Sequence, residues 1–316
     1  MIYDLIIIGG GPAGMSAALY GSRHNLKFIL IATKLGGLAN LVPTLKTYLG
    51  SPYVTGFDLV QRFQDHLNNY KIRIVNQPVL AVGKNSHVFS VKTNKNTYRT
   101  RTVIIATGRR FKKLHVPGEE LYFGKGLSDC TICDGPLFKG KTVAVVGGGR
   151  SGLYATIFLL NIAKKIYLIE KEDRIKTKGI VKKIADAVST SKKVEILTNT
   201  VPVEIRGDRF VRSIVLQSRG KKKVLPVEGA FVEIGYDPVT DIVKGVARLN
   251  KLSEIIVNPE CQTNVPGLFA AGDVTNVREK QVIVSAGEGA KAALSAILYL
   301  EETKGAKRRR SSRQKT

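Results

Sequence analysis

A GxGxxG glycine pattern occurs twice in this chain, and each copy is bracketed in the same way. Residues Tyr3–Ile8 form a continuous apolar run that meets Gly9-Gly10-Gly11-Pro12-Ala13-Gly14. An apolar helical stretch follows to about His24, then a second strand at Phe28–Ile31. Downstream, a strand over Thr142–Val146 leads into Gly147-Gly148-Gly149-Arg150-Ser151-Gly152, a helix over Ser151–Ala163 and a strand at Ile166–Ile169. Strand, tight glycine turn, helix and strand make the βαβ dinucleotide unit. Glycines are needed there for the turn, for close approach of backbone to a pyrophosphate, and for packing of helix on strand. The helix N-terminus then offers free N–H groups to the anion. Two such units predict an α/β fold built of two Rossmann-like dinucleotide-binding domains.

The chain of 316 residues has room for about two domains. Between the repeats, Val103–Ala106 is a buried strand that ends in Thr107-Gly108, and short strands follow near Val194–Leu197, Ile214–Leu216 and Ala230–Ile234. Gly267–Val274 reads as a strand running into Gly272-Asp273-Val274, and Ser285–Leu300 has helical periodicity. We therefore expect the first domain in two pieces, 1–113 and 239–300, with the second, 114–238, inserted between them. Lys113–Val116 and Gly235–Pro238 would form the hinge, and the basic tail 301–316 would be disordered.

No apolar run approaches the ~20 residues of a membrane span. Met1–Gly10 lacks a basic leader and a cleavage site, so it reads as a first strand and not as a signal. A cytoplasmic protein without a membrane partner is expected. The net charge of +25 is spread over the whole body and would attract polyanions or an acidic protein. No aromatic platform or nucleic-acid motif accompanies it, so background composition is preferred over a nucleic-acid partner.

The two repeats differ where their second strands end. The first ends in Ala32-Thr33-Lys34, without a carboxylate for ribose hydroxyls, leaving Thr33 and the Gly36-Gly37 backbone, with Leu38 beside them, to serve. The second ends in Glu170, which can accept from both ribose hydroxyls of NADH and would repel the 2′-phosphate of NADPH. NADH is therefore favoured. Lys171, Arg174, Lys176 and Lys178 keep NADPH possible, with Glu172 against them.

Two of the three cysteines lie in Cys130-Thr131-Ile132-Cys133-Asp134. Zinc usually needs four Cys or His ligands; Cys261 is far away in sequence and the four histidines are scattered, so no metal is expected. The pair reads best as a redox dithiol, in which a thiolate attacks a disulfide. Asp134 is placed to protonate a leaving thiolate; alternatively it caps a helix beginning near Gly135-Pro136. Cys261 reads as an ordinary small residue.

The segment CTICDGPLF, with GGGPAG before it, Ile105-Ala106-Thr107-Gly108 and GGGRSG around it and LFAAGDV after it, resembles the low-molecular-weight thioredoxin reductases over about Tyr3 to Leu300. The resemblance implies FAD on the first and last segments and a nicotinamide nucleotide on the inserted domain. It assigns FAD binding to Gly9, Gly11, Gly14, Gly37, Gly108, Asp273 and Gln281, with Thr107, Gly272, Val274, Lys280 and Val282 flanking them. Gly147, Gly149, Ser151 and Gly152 would hold the second nucleotide. Cys133 would face the flavin, Cys130 would attack the partner disulfide, and Asp134 matches the family's acid. A homodimer is implied.

This chain has Glu170-Lys171-Glu172 where NADPH-dependent members carry His-Arg-Arg, and Arg150-Ser151-Gly152 where they carry Asn-Ser-Ala. Here it also resembles the NADH-dependent flavoproteins that reduce bacterial alkyl hydroperoxide reductase. Those carry extra N-terminal thioredoxin-like domains. The expected acceptor here is a separate thioredoxin or glutaredoxin-like protein disulfide oxidoreductase. Alternatives left open are a peroxide-forming NADH oxidase, a ferredoxin-linked flavin disulfide reductase, and a nucleic-acid-associated flavin redox sensor.

Overall fold

The computed structural model describes residues 1–42, 44–177 and 180–313, and their side chains except at 180 and 304–313. The chain divides into two compact units, one made of Met1–Arg110 with Pro238–Thr316, the other of Phe111–Asp237.

The first unit begins with β1 (Ile2–Gly10), α1 (Pro12–Arg23), β2 (Phe28–Leu35) and α2 (Gly56–Asn68). The short β3 (Ile74–Val75) precedes a run of strands, β4 (Val79–Asn85), β5 (Val88–Thr93) and β6 (Thr97–Ile105). The sheet order is β3-β2-β1-β6-β5-β4. It is parallel from β3 to β6 and antiparallel across β6, β5 and β4. Side chains alternate as a strand buried on both faces requires: Ile6 and Ile8 enter one core layer, Leu5 and Ile7 the other.

The chain leaves this unit through β7 (Arg109–Phe111) and enters the second with α3 (Glu119–Tyr122), β8 (Leu127–Ser128) and the single turn α4 (Thr131–Asp134). Then come β9 (Thr142–Val146), α5 (Arg150–Leu160), β10 (Lys165–Ile169), α6 (Ile180–Thr190) and β11 (Val194–Leu197). An antiparallel meander, β12 (Thr200–Gly207), β13 (Val211–Ser218) and β14 (Lys221–Pro226), leads to β15 (Gly229–Val232). The second sheet is wholly parallel, in the order β11-β10-β9-β15-β8. Val143 and Val145 pack with Phe138, Leu153 and Phe231, while Ala144 and Val146 face Leu216 and Leu225. The chain returns through β16 (Tyr236–Pro238), which pairs with β7.

Back in the first unit, β17 (Leu268–Ala270) pairs parallel with the later half of β6, and α7 (Val282–Arg313) closes the chain. Small residues let α7 approach α1 closely: Ala13, Ala17 and Ala18 meet Ala292, Ala293 and Ala296 in one layer. A methyl on Gly289 would sit 2.0 Å from the Ala13 carbonyl. Two features of this helix bear on the expectations. Val282–Thr303 is long and apolar enough to cross a membrane, although polar residues interrupt its apolar run. Ala292, Ala293, Ala296 and Leu300 of that helix are buried in the protein core. The helix also passes Leu300, and its backbone stays helical to Arg313 where a disordered tail was expected. Glu, Lys and Arg dominate that stretch and favour helix. Residues 314–316 of the expected tail, and Lys178, lie outside the described residues.

Candidate active site

In the first unit, Gly9 (φ +117°) turns the chain from β1 into α1. A side chain on Gly9 would strike the Ala106 carbonyl at 2.1 Å, and one on Gly14 would lie 1.8 Å from the Gly9 carbonyl. A methyl on Gly11 would meet nothing within 4 Å, so the open side of the turn is the side an anion would use. Gly11 precedes Pro12 at the first helical position, and Ala13 is buried behind them. Gly36 donates its N–H to the Gly10 carbonyl at 2.7 Å. A methyl on Gly37 would reach the Gly11 Cα at 3.7 Å. Thr33 is exposed at the end of β2 and Leu38 is partly buried in the short helix over Gly37–Leu41. Thr107 donates its Oγ1 hydrogen to the Val239 carbonyl at 2.7 Å, and the Gly108 carbonyl accepts from the Val239 N–H.

Gly272, Asp273 and Val274 follow β17 and come to the same place. A methyl on Gly272 would lie 3.0 Å from the Ala13 Cβ. Asp273 Oδ1 accepts from Ser285 Oγ at 3.1 Å, and Val274 is fully buried. The Asp273 carbonyl accepts from Arg109 Nε and Lys280 Nζ, at 3.2 and 3.3 Å. Both cations also pair with the buried Glu254. That cluster, with Arg109 and Glu254 far apart in sequence, has no motif to announce it. It holds the approach to α7, where Lys280, Gln281 and Val282 sit. Gln281 is exposed and its carbonyl accepts from the Ser285 N–H. Glu288 Oε2 accepts from the Gly272 N–H at 2.7 Å; burial pushes this carboxyl above its ordinary range, against the pull of that N–H. Gly9, Gly11, Gly14, Gly37 and Gly272 thus come together around the N-terminus of α1, and Asp273 is tied to Ser285 of α7; Thr33 and Gln281 are exposed.

In the second unit the same turn recurs. A methyl on Gly152 would lie 1.7 Å from the Gly147 carbonyl, and a methyl on Gly149 would meet nothing within 4 Å. The turn opens into a cavity of about 950 Å³ whose wall includes Gly147, Gly149, Ser151, Glu170, Lys171 and Lys176. Glu170 is 9% exposed. Its Oε2 accepts from the Gly148 N–H at 2.7 Å and its Oε1 from the Glu172 N–H at 2.9 Å. Each oxygen keeps one more lone pair for a ligand hydroxyl. Lys171 and Lys176 both reach Glu172, at 3.9 and 3.1 Å.

Cys130 and Cys133 are joined in a disulfide. Cys130 stands just before α4, and its Sγ accepts from the Cys133 N–H at 3.3 Å. Asp134 ends α4 partly buried and occupies the N-cap position of the helical turn over Gly135–Phe138, without a side-chain capping bond. The turn is tied instead through Thr131, whose Oγ1 donates to Glu233 Oε1 at 2.8 Å. Glu233 follows β15 and lines the cavity. Burial pushes its carboxyl upward; the Thr131 and Ser151 hydroxyls oppose this and the Asp129 charge adds to it. Asp129 is likewise raised, first by burial and further by the Asp134 charge, against a local backbone hydrogen bond. Sequence reasoning missed Glu233: a lone acid after a strand carries no signal until the fold sets it beside Thr131.

Comparison with known proteins agrees with this geometry. Residues 3–289 match the family model described as pyridine nucleotide-disulphide oxidoreductase. An alkyl hydroperoxide reductase subunit, from Escherichia coli (strain K12), is 36% identical over 312 residues, which cover 96% of this chain and 59% of that protein. The chain thus spans about three-fifths of the length of that relative. Among solved structures, the thioredoxin reductase of Lactococcus lactis aligns with a TM-score of 0.82 and 30% identity, and that of T. acidophilum with 0.78 and 35%. Each covers 95% of this chain and is itself 99% covered. With its two glycine turns and its disulfide, the chain belongs to the pyridine nucleotide-disulphide oxidoreductase family.

Proposed function

We propose that this protein is a FAD-dependent disulfide reductase of the thioredoxin-reductase type. It takes electrons from a nicotinamide nucleotide, NADH in preference to NADPH, and delivers them through Cys130–Cys133 to the disulfide of a thioredoxin or glutaredoxin-like protein. The observation that carries this reading is the Cys130–Cys133 disulfide held in the same unit as a glycine turn and its cavity. The family implies FAD, and the first unit fits it. The Gly11 side of the turn is open, α1 presents its N-terminus there, and Asp273, Gly272 and Gly37 converge on it. Gly9, Gly11, Gly14, Gly37, Gly108, Asp273 and Gln281 would hold it. Bound FAD would pass electrons between the nicotinamide nucleotide and the disulfide.

The chain's own part is thiol chemistry. Reduction of Cys130–Cys133 takes up two electrons and two protons. The Cys130 thiolate then attacks the partner's disulfide; an S–S bond forms between the proteins as the partner's own breaks. Asp134 gives a proton to the departing partner thiolate. Cys133 attacks Cys130, reforms the internal disulfide and releases the partner as a dithiol.

Preference for NADH rests on Glu170, a carboxylate in the cavity wall, and on Lys171 and Lys176, which share Glu172. We further propose a homodimer working in the cytoplasm, with the positive surface drawing acidic proteins and not nucleic acid. The test is anaerobic titration of the flavin-loaded protein with NADH and NADPH in parallel, followed by transfer to a thioredoxin. Bleaching at lower NADH concentration is expected. Preference for NADPH overturns the Glu170 reading, and no bleaching with either nucleotide overturns the donor.

A further inference from the structure

Glu233 is fixed in its backbone and committed in its side chain. Its N–H donates to the Val146 carbonyl at 2.8 Å, and its carbonyl accepts from Ser151 Oγ at 3.0 Å. That carbonyl lies so close to Gly147 that a methyl there would approach it to 2.4 Å. The backbone therefore belongs to the nucleotide turn. Glu233 is among the residues that line the cavity, its Cβ would lie 3.6 Å from a methyl on Gly152, and one of its carboxylate oxygens accepts from Thr131 Oγ1 at 2.8 Å. Thr131 is 3% exposed and is the first residue between the two cysteines. A single residue thus belongs both to the cavity wall and, through its side chain, to the turn that carries the disulfide. Nothing in a dinucleotide-binding turn requires this.

We propose that Glu233 is a positioning residue that couples occupancy of the nucleotide cavity to the redox equilibrium of Cys130 and Cys133. The structure shows the oxidised turn with the Thr131–Glu233 bond made. A ligand in the cavity brings hydroxyl and amide donors to the same wall and draws the carboxylate toward itself. The Thr131 hydroxyl, buried, then loses its acceptor, and the cross-linked turn loses support. The dithiol, free of the cross-link, can re-aim Thr131 and loses less. Occupancy therefore shifts the pair toward the dithiol, and by reciprocity the dithiol form binds the nucleotide more tightly by the same factor.

This rests on the cavity being the nicotinamide nucleotide site, so the experiment separates the two. The probe is 1,4,5,6-tetrahydro-NAD, which fills the site and cannot deliver a hydride. The flavin-loaded full chain is equilibrated in dithiothreitol buffers with and without saturating probe. The dithiol fraction is read by alkylation and mass, and binding by calorimetry. In the parent, the probe should raise the dithiol-to-disulfide ratio about tenfold, the worth of one hydrogen bond to a charged group. Glu233→Ala and Thr131→Val should show a raised ratio without probe and a response of no more than about twofold, the residue left once that bond is gone. Glu233→Gln keeps an acceptor for Thr131 and should keep most of the response. A probe that binds the parent and leaves the ratio unchanged overturns the coupling, as does a full response in Glu233→Ala and Thr131→Val. A probe that does not bind the parent at all overturns the cavity reading and the coupling with it.

Discussion

The two glycine turns are nearly superposable in their backbone and different in what surrounds them. Gly11 and Gly149 precede their helices with φ −75° in both cases and ψ −176° and −171°. Met15 N–H donates to the Gly11 carbonyl at 2.9 Å, and Leu153 N–H to the Gly149 carbonyl at 3.0 Å. A neighbouring strand closes each turn from behind, through the Ala106 carbonyl against Gly9 and the Glu233 carbonyl against Gly147. At that matched position one unit has a methyl and the other a carboxyl that reaches the CxxC turn. The strand ends differ in the same sense: Thr33 is exposed, whereas Glu170 is buried and bonded to two backbone N–H groups. The shared parts are what any pyrophosphate requires of a helix N-terminus. On the proposed function, the unshared parts carry the division of labour, one turn holding a nucleotide and the other holding one beside a disulfide.

The strongest way to break this comparison is to remove the thiols. Cys130→Ser should cost about a thousandfold or more in reduction of a protein disulfide, as loss of a nucleophile does. NADH-driven reduction of a small dye, which needs both turns and no thiol, should stay within a few-fold. Loss of both activities together would mean that the two turns do not work independently of the disulfide.

Next come the turns themselves. Gly14→Ala places a methyl 1.8 Å from a backbone carbonyl, and Gly152→Ala places one at 1.7 Å. Neither helix can yield without moving its strand, so each should cost about 1–3 kcal/mol. The consequences should differ. Gly14→Ala should purify with its yellow colour reduced. Gly152→Ala should stay yellow and bind NADH more weakly by calorimetry. The same loss of flavin from both would erase the assignment of one nucleotide to each unit.

Glu170 sharpens the comparison at smaller scale. Glu170→Ala leaves the Gly148 and Glu172 N–H groups without their acceptor, each net bond being worth about 1 kcal/mol. The KM for NADH should rise about tenfold with little change in kcat, as uniform binding energy is lost. Glu170→Gln, which can still accept one of these bonds, should fall between. An unchanged KM in Glu170→Ala would show that the carboxylate serves only the turn.

Much of this was legible in the residues. The order of strand, glycine turn and helix is local, and an apolar run ending in GGGPAG or GGGRSG leaves little choice of fold. The disulfide followed from two cysteines at close spacing without further ligands. What stayed hidden depends on distant partners. Arg109, Glu254 and Lys280 meet only because β7 and the loop before α7 come together, and Glu233 meets Thr131 only across β15. The extent of α7 beyond Leu300 was missed because the apolar periodicity ends there, although the Glu, Lys and Arg residues that follow still favour helix.

Cys261 lies outside both glycine turns and gives a control for the redox pair. It is 2% exposed, and its Sγ lies 3.7 Å from the Glu288 carbonyl. Burial, reinforced by the Glu288 charge, raises its thiol pKa to about 11 from 9.0. Its neutral form is thus favoured by folding, and the sign of the linkage follows. Below pH 9 the thiol is protonated in both states and adds no pH dependence. Between pH 9 and 11 the unfolded chain releases the proton first, so stability falls as pH rises, by up to about 1.4 kcal/mol per pH unit. Cys261→Ala lacks this slope. Its melting temperature should lie below that of the parent at pH 8, for the small cavity it leaves, and the gap should close by pH 10.5. At pH 8 iodoacetamide should modify Cys130 and Cys133 in the reduced protein and spare Cys261. Rapid modification of Cys261 in the folded chain would show that its shell opens, and the gap between the two melting curves would then stay constant with pH.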